Sequence, residues 1–425
     1  MTDERSIRRL SVTAGALLLE HGTLIEGLGS PASVDGGVLV GADGRIQWAG
    51  AMTELPLNAS SVDRIDVQGN WILPGFIDTH VHLSNADAQR DPFQRATLPT
   101  SFLNLSLVTS ARATLHAGVT TVRDLGGADL GMKMAIDQGI IDGPRMLIAV
   151  TPISATGGHG DSRYPSGLDL GFRSTYPGLA DGEVECRKRT REMLRAGADV
   201  IKIHATGGVW SPRDQPDDEG LTIAEIAAVV DEANRHRGKR VAAHAQGRGG
   251  ISNAVLGGVA SVEHGYQIDS VTVEEMLKRG TYLVPTLTTA TTAPDRAVVP
   301  LVSYEKKMKW MEIAQECLPT ALTSGVKIAM GTDSGVVAHG RNLTELRRLV
   351  EFGVDPMEAL LAGTRYAADL LDLSDDVGSL SVGKFGDVVV TDCDPVVDIA
   401  KLEQSEHVVL VVKGGTVYKN LLSDA

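Results

Sequence analysis

The chain of 425 residues is 43% hydrophobic and 22% charged, which predicts a large core and one large domain with an appendage. Its formal charge of −14 argues against a nucleic-acid partner, because an acidic surface repels phosphate groups. The three cysteines, Cys186, Cys317 and Cys393, form no C-x-x-C pair, and this sparse, odd set predicts a reducing compartment without a disulfide framework.

The first twenty residues contain neither a membrane span nor a cleaved leader in their pattern. Residues 1–10 carry mixed charge, and the apolar part of residues 11–20 is too short to cross a bilayer. No small-residue cleavage pattern follows. We therefore expect a soluble, cytoplasmic protein with no membrane partner.

Both ends of the chain are rich in predicted strands. Gly41-Ala42-Asp43-Gly44 separates two of them and is typical of a hairpin turn. We expect the ends to pair into one small β-sandwich domain, formed by residues 1–70 and 378–425. The strands predicted in these ends are residues 36–40, 45–50, 387–392 and 408–412.

Between the ends, apolar strands alternate with helical patterns over about 300 residues, which favours a (β/α)8 TIM barrel spanning residues 71–377. An open doubly wound sheet is the alternative. The eight predicted strands are the run before His80 and residues 119–122, 146–150, 200–203, 241–243, 260–262, 282–284 and 328–330. The predicted helices are residues 101–116, 183–195, 223–236, 273–278 and 304–323.

Residues with metal-binding or acid–base chemistry cluster at the ends of these strands. His80 and His82 close the first strand, and their imidazoles share one side because strand side chains alternate. The active site of a TIM barrel lies at the carboxyl ends of its strands. Four further strands supply candidates there: Lys202, His244, His264 and Asp333.

This set resembles the amidohydrolase superfamily, and the resemblance covers nearly the whole chain. Within the superfamily, Thr156-Gly157-Gly158-His159-Gly160-Asp161 and the Lys202-x-x-Ala205-Thr206-Gly207-Gly208-Val209 segment look like the prolidase-like dipeptidases and the ochratoxin-hydrolysing amidohydrolases. His244-Ala245-x-Gly247 and Glu263-His264-Gly265 fit the same group, and residues 378–390 look like the return of the chain into the terminal sheet.

The resemblance implies two divalent metal ions, and zinc suits imidazole and carboxylate ligands, with manganese and cobalt as alternatives. Lys202 would bridge both ions as an N-carboxylated lysine formed with CO2, because an ammonium group cannot ligate a cation. A hydroxide between the ions would attack the substrate, since metal binding lowers the pKa of water from about 15.7 to about 7. The other implied ligands are His80, His82 and Asp333 for the more buried ion, and His244 and His264 for the outer one.

The resemblance also implies the reaction. We expect a binuclear metal-dependent hydrolase that cleaves an amide bond of a small molecule, either a dipeptide or an N-acyl amino acid, ochratoxin-type substrates included. A homo-oligomer is expected, with an octamer as one option. One alternative is a hydrolase of a urea, carbamate or lactam-like xenobiotic. A non-catalytic metal-binding scaffold is a more remote alternative, because it predicts a broken ligand set. No Gly-x-Ser-x-Gly or His-Glu-x-x-His motif occurs.

Other residues are candidates for proton transfer and substrate binding. Asp333 is expected to act as a base, and His159 to donate to the substrate carbonyl or oxyanion. His204 shares a strand face with Lys202, and we expect it to shape the pocket. The candidates for holding a substrate carboxylate are Arg163, Tyr164 and Arg213.

Plainer structural roles are also open for several of these residues. Lys202 could be salt-bridged in the core, and Asp333 could cap a helix in Thr332-Asp333-Ser334. His159 could be a turn residue, and the three carboxylate candidates could be ordinary loop surface. The Gly378-x4-Gly383-Lys384 run is no phosphate loop, because Phe385 replaces the required Ser or Thr.

Overall fold

The computed structural model describes residues 15–56, 62–85, 97–170, 176–211 and 213–422. The prediction that no leader is present concerns residues 1–20, most of which lie outside the described ranges. No helix in the described ranges is long and apolar enough to cross a membrane.

Both ends of the chain contribute to one eight-stranded sheet. Its order is β15-β14-β13-β5-β1-β2-β3, and β4 pairs with β1. The antiparallel pair of β13 with β5 joins the last strands to the first. One face buries a cluster of Leu, Val and Ile side chains. The strands are β1 (Leu17–Leu24), β2 (Ser33–Val40), β3 (Ile46–Ala51), β4 (Asp63–Asp66), β5 (Trp71–Pro74), β13 (Val388–Thr391), β14 (Val408–Lys413) and β15 (Thr416–Asn420).

The middle of the chain contains seven parallel strands in two sheets, ordered β6-β7-β8 and β12-β11-β10-β9. Apolar residues dominate these strands, as expected where helices cover a parallel sheet. The arrangement is a TIM-barrel-like α/β fold. The strands are β6 (Phe76–Val81), β7 (Val119–Asp124), β8 (Arg145–Ile148), β9 (Ile201–His204), β10 (Val241–Ala245), β11 (Ser261–His264) and β12 (Tyr282–Val284).

Isolated parallel bridges connect the two sheets. Ile153 pairs with Ile203 after β8, and Leu283 pairs with Ile328 after β12. The predicted eighth strand, residues 328–330, is not a regular strand, so this prediction was wrong in detail. It is an extended segment that continues to a bridge between Ser334 and Val81. The left-handed backbone of Asp333 (φ 60°) interrupts the regular strand geometry just before that bridge.

The helices follow the predicted pattern, with additions. The predicted helix 183–195 coincides with the observed one, and α4 begins with a capping box between Thr222 and Glu225. Several short helices were missed because they are only two turns long. The helices are α1 (Thr100–His116), α2 (Leu130–Asp137), α3 (Glu183–Arg195), α4 (Ile223–Arg235), α5 (Arg248–Leu256), α6 (Ser270–Arg279), α7 (Leu287–Thr291), α8 (Leu301–Leu322), α9 (Thr344–Glu351), α10 (Pro356–Ala362) and α11 (Arg365–Leu370).

Candidate active site

Six histidine rings form a continuous array where β6, β9, β10 and β11 end. Neighbouring ring centroids lie 4.3 to 5.5 Å apart. Burial lowers the pKa of most of these rings, that of His264 to about 3. The rings of His80, His204, His244 and His264 are therefore neutral at physiological pH, which is the form that binds metal ions. His82 differs: burial lowers its pKa, but the hydrogen bond and the charge of Asp333 outweigh this effect and raise it. In order of contact, the array is His82, His80, His264, His244, His159 and His204.

At one end of the array, His80, His82 and Asp333 converge. One ligand atom from each lies within 4.8 Å of the other two. The Asp333 Oδ1 atom is 3.6 Å from His80 Nε2 and 3.3 Å from His82 Nε2. Burial by itself would raise the pKa of Asp333, but the hydrogen bond from His82 and the nearby imidazoles lower it, so the carboxylate is ionised. This set of two imidazoles and one carboxylate fits a divalent metal ion.

The other ring nitrogens of these histidines are held by the protein. His80 Nδ1 donates to Glu263 Oε2 at 2.8 Å, and His82 Nδ1 donates to the Gly126 carbonyl at 2.9 Å. Glu263 is itself fixed by Arg123, whose Nη2 donates to its Oε1 at 2.9 Å. Such partners orient metal-binding imidazoles and fix their tautomers. Both Nε2 atoms are thereby directed at Asp333.

His244 and His264 are held in the same manner. His244 Nε2 donates to the Gly207 carbonyl at 2.9 Å, and His264 Nδ1 lies 2.7 Å from the Thr286 hydroxyl. Their ring centroids are 4.7 Å apart. Both rings are buried, and each has one hydrogen-bond partner in the part of the chain that the structure describes. His264 and Thr286 have positive φ angles of 74° and 48°, strained conformations of the kind found at functional sites.

Lys202 is buried on β9 without a salt bridge. Its side chain is 3% exposed, and within the described ranges its ammonium has no carboxylate within 4.0 Å and no hydrogen-bond acceptor. Burial lowers its pKa to about 8, although the charges of Glu263 and Asp333 oppose this. The salt-bridged core lysine considered from the sequence is thus not what the structure contains.

Asp333 does not cap a helix. The next helix, α9, begins at Thr344, and Leu343 precedes it as the N-cap. The Asp333 backbone N–H instead donates to the His80 carbonyl at 2.8 Å. The capping role considered from the sequence is therefore excluded, and the side chain is directed to the two histidines.

Comparisons with known proteins agree with this geometry. Residues 71–418 match the amidohydrolase family. The ochratoxinase of Aspergillus niger is 31% identical over 428 aligned residues, which cover 96% of this chain and 87% of the relative. The chain belongs to the amidohydrolase family. The resemblance found in the sequence is thus confirmed, and the amidohydrolase is a hydrolase that acts on amide bonds.

Solved structures of similar fold support the same assignment. A Xaa-Pro dipeptidase with bound methionine has a TM-score of 0.86 and 30% identity, over 95% of this chain and 100% of the other. A prolidase complexed with N-methylphosphonate-L-proline has a TM-score of 0.88 and 31% identity, again over 95% and 100%. The structural neighbours of the amidohydrolase therefore include prolidase-like enzymes.

His159 lies in the array and is held by a loop after β9. Its Nδ1 is 2.8 Å from the Ser211 hydroxyl, which donates to Asp214 Oδ1. Lys306 on α8 anchors this loop by donating to the Ser211 carbonyl at 2.7 Å. A Cβ at Gly208 would lie 2.2 Å from His159 Cε1, which explains the glycine there. His159 is thus a positioned site residue rather than an ordinary turn residue.

His204 stands at the other end of the array. It is 9% exposed, and its Nδ1 has no hydrogen-bond partner in the part of the chain that the structure describes. A Cβ at Gly160 would lie 2.9 Å from that nitrogen, so the loop after β8 approaches it closely. A buried, unpaired ring nitrogen is available to a ligand.

The three carboxylate candidates lie on the surface loops and already have partners. Arg163 Nε is 3.6 Å from Asp169 Oδ2, and its side chain is 65% exposed. The Arg213 guanidinium stacks 5.1 Å from the Tyr164 ring centroid and donates to the Asp161 carbonyl at 2.8 Å. Among the described residues, no contact joins these three side chains to the histidine array.

Sequence reasoning missed the residues that support the site. A sequence signal existed for Arg123, since a charge at the end of an apolar strand requires a buried partner. Ser211 and Asp214 had no signal, because loop polar residues are common. Glu263 was noticed only as part of the motif around His264. The supporting residues are Arg123, Ser211, Asp214, Glu263, Thr286 and Lys306.

Proposed function

We propose that this amidohydrolase is a binuclear metal-dependent enzyme that cleaves the amide bond of a dipeptide or an N-acyl amino acid. The observation that carries the proposal is the buried Lys202, which has no salt-bridge or hydrogen-bond partner among the described residues, in a site lined by imidazoles and one ionised carboxylate. A lysine in such a place is costly unless its charge is removed or used.

The donor set suits two divalent ions, with zinc favoured by the histidines. We assign His80, His82 and Asp333 to the first ion and His244 and His264 to the second. Lys202, carboxylated by CO2, would supply the bridging carbamate. When bound, such ions polarise a carbonyl group and lower the pKa of a coordinated water.

The residues of the chain then carry the proton and hold the substrate. Asp333 is ionised, so it accepts the proton of the attacking water and transfers it to the leaving nitrogen. The Ser211 hydroxyl donates to Asp214, so His159 Nδ1 donates to Ser211, and its Nε2 would donate to the carbonyl oxygen when the ring carries both protons. A donor placed at a developing oxyanion is among the strongest contributions to catalysis.

The substrate class rests on the relatives. Their names and ligands include an ochratoxinase, a Xaa-Pro dipeptidase with methionine, and a prolidase with an L-proline derivative. Methionine and L-proline are amino acids with a free carboxylate. We therefore propose amides whose leaving amine carries a carboxylate. His204 replaces the exposed arginines as the better candidate for contacting the substrate, since its Nδ1 is unpaired.

The finer description of the protein is also a proposal. The isolated bridges after β8 and β12 support a closed (β/α)8 barrel of residues 71–377. The eight-stranded sheet supports a β-sandwich domain of residues 1–70 and 378–425. A cytoplasmic homo-oligomer completes the proposal.

The test is a substrate screen of the purified enzyme with metal content measured on the same preparation. We expect close to two divalent ions per chain, and hydrolysis of dipeptides and N-acyl amino acids at least 10-fold faster than of their methyl esters. Chelation should abolish the activity. A fully active metal-free preparation would refute the proposal, and a preference for aryl ureas or carbamates would favour the xenobiotic alternative.

A further inference from the structure

We propose that Asp392, Cys393 and His407 form a separate cation site on the terminal sheet, which binds a divalent transition metal such as zinc. One ligand atom from each residue lies within 4.8 Å of the other two. None of the three belongs to the histidine array. We call this group the thiolate site.

The backbone brings the two segments of the thiolate site together. Asp392 and Cys393 follow β13, and His407 directly precedes β14. These antiparallel strands pair Thr391 with Val408, next to a bulge that separates this pair from that of Val390 with Leu410. The Asp392 N–H also donates to the His407 carbonyl at 3.1 Å. The backbone pairing of the two strands therefore holds the three ligand-bearing residues next to one another.

Cys393 is the decisive member of the site. It is a free cysteine, 7% exposed, and its thiol has no hydrogen-bond partner within the described ranges. Its side chain meets two polar groups that are more open to solvent, Asp392 with 40% and His407 with 28% of the side chain exposed. The thiol is thus buried on one side and faces an imidazole and a carboxylate on the other.

The neighbouring charged groups are already engaged. Asp394 Oδ1 accepts the backbone N–H groups of Val396 and Val397 at 2.9 and 3.1 Å. Lys401 Nζ donates to Asp398 Oδ2 at 2.8 Å, so this ammonium group is paired with a carboxylate outside the thiolate site. The surroundings are acidic overall, which favours a cation over an anion at the thiolate site.

The ligand chemistry selects the metal. A thiolate and an imidazole favour zinc and similar ions over calcium or magnesium, and three protein ligands leave a fourth tetrahedral position for water. On binding, the Cys393 thiol releases its proton to solvent, and the proton on His407 Nδ1 moves to Nε2 by tautomerisation, so that the ion takes the place of the 2.7 Å hydrogen bond between His407 and Asp392. The ion would clamp the end of β13 to the start of β14.

Cobalt(II) gives a direct test, because thiolate ligation produces a near-ultraviolet charge-transfer band that imidazole and carboxylate ligands do not. The full-length protein is treated with a chelator and titrated with cobalt. We expect a band that saturates at one equivalent of thiolate-bound ion, is lost in C393S, and needs at least 10-fold more cobalt in H407A. Cys317 is a partly buried cysteine outside the thiolate site, so the C317S variant is the matched control and should retain the cobalt band.

A second measurement follows the cysteine itself. Zinc should slow alkylation of Cys393 at least 10-fold while leaving Cys317 unchanged, as read by mass spectrometry of the peptides. The variant H80N, which alters only the histidine array, should still show the cobalt band, so failure of the catalytic proposal would not affect this result. Absence of the band in the wild-type protein, or its persistence in C393S, would overturn the thiolate site.

Discussion

His159 stacks on His244, with ring centroids 4.3 Å apart and ring planes inclined by only 15°. The contact places the proposed carbonyl donor directly against a proposed ligand of the second metal ion. Movement of either ring would be transmitted to the other, because buried rings are closely packed. The position of His159 is therefore coupled to that of the proposed ligand His244, and we expect the loop that supports His159 to influence catalysis.

Substitution of Lys202 by alanine tests the bridge between the ions. We expect loss of at least one metal ion per chain and a loss of activity of at least 100-fold, because alanine cannot supply the carbamate that Lys202 is proposed to provide. Acetate should partly restore activity in the variant by supplying a carboxylate, and should leave the wild-type enzyme unaffected. Wild-type activity and metal content in the variant would show that Lys202 is only a buried core residue.

Substitution of Asp333 by asparagine separates proton transfer from folding. The variant keeps the shape and one ligand oxygen but removes the base. We expect unchanged circular dichroism, substantial metal content, and a kcat reduced by about 10²–10⁴, the usual contribution of general acid–base catalysis. Should kcat stay near the wild-type value with both ions present, another group carries the proton.

Substitution of Asp214 by asparagine tests the support of His159. Because Ser211 links Asp214 to His159, we expect kcat to fall about 10- to 100-fold, as for other residues that orient a site. Substitution of His159 by alanine should cost more, about 10²–10³ in kcat. The exposed Asp217 in the same loop provides the control, and D217N should behave like wild type. Equal losses in D214N and D217N would contradict the positioning role.

Lys419 makes the stability of the protein depend on pH. Burial lowers its pKa to about 8, and its ammonium donates to the carbonyls of His116 and Ser405 at 3.0 and 2.5 Å. Since an unfolded lysine titrates near about 10.4, the unfolded chain binds the additional proton between these values. The free energy of unfolding should therefore rise with pH from about 8 to about 10.4, by about 3 kcal/mol for this residue at about 1.4 kcal/mol per pKa unit.

The variant K419M should lack this part of the rise, as measured by urea denaturation at pH 8 and pH 10. The exposed Lys309 is the matched control, and K309M should keep the wild-type difference between the two pH values. The same pH dependence in K419M as in the wild type would show that Lys419 titrates normally in the folded protein.

The sequence by itself determined the family and predicted the groups that we propose as metal ligands. His80 and His82 lie two residues apart on a strand, and strand periodicity alone sends both rings to one side. Lys202, His244 and His264 end apolar runs, and parallel strands in a TIM-barrel-like fold present their ends at one face. The local strand pattern and the general position of TIM-barrel active sites were sufficient to choose these residues as candidates.

The tertiary structure decided how these groups are held. Glu263 could be recognised as a partner of His80 only when β6 and β11 were placed together, and Ser211 as a partner of His159 only when the loop was anchored by Lys306, 95 residues away in sequence. The sequence also favoured Arg163 and Arg213 for the substrate carboxylate, whereas the folded loops give them other partners. Periodicity fixes the side of a strand on which a residue lies, but the hydrogen bonds of loops depend on contacts between distant segments, which no local pattern contains.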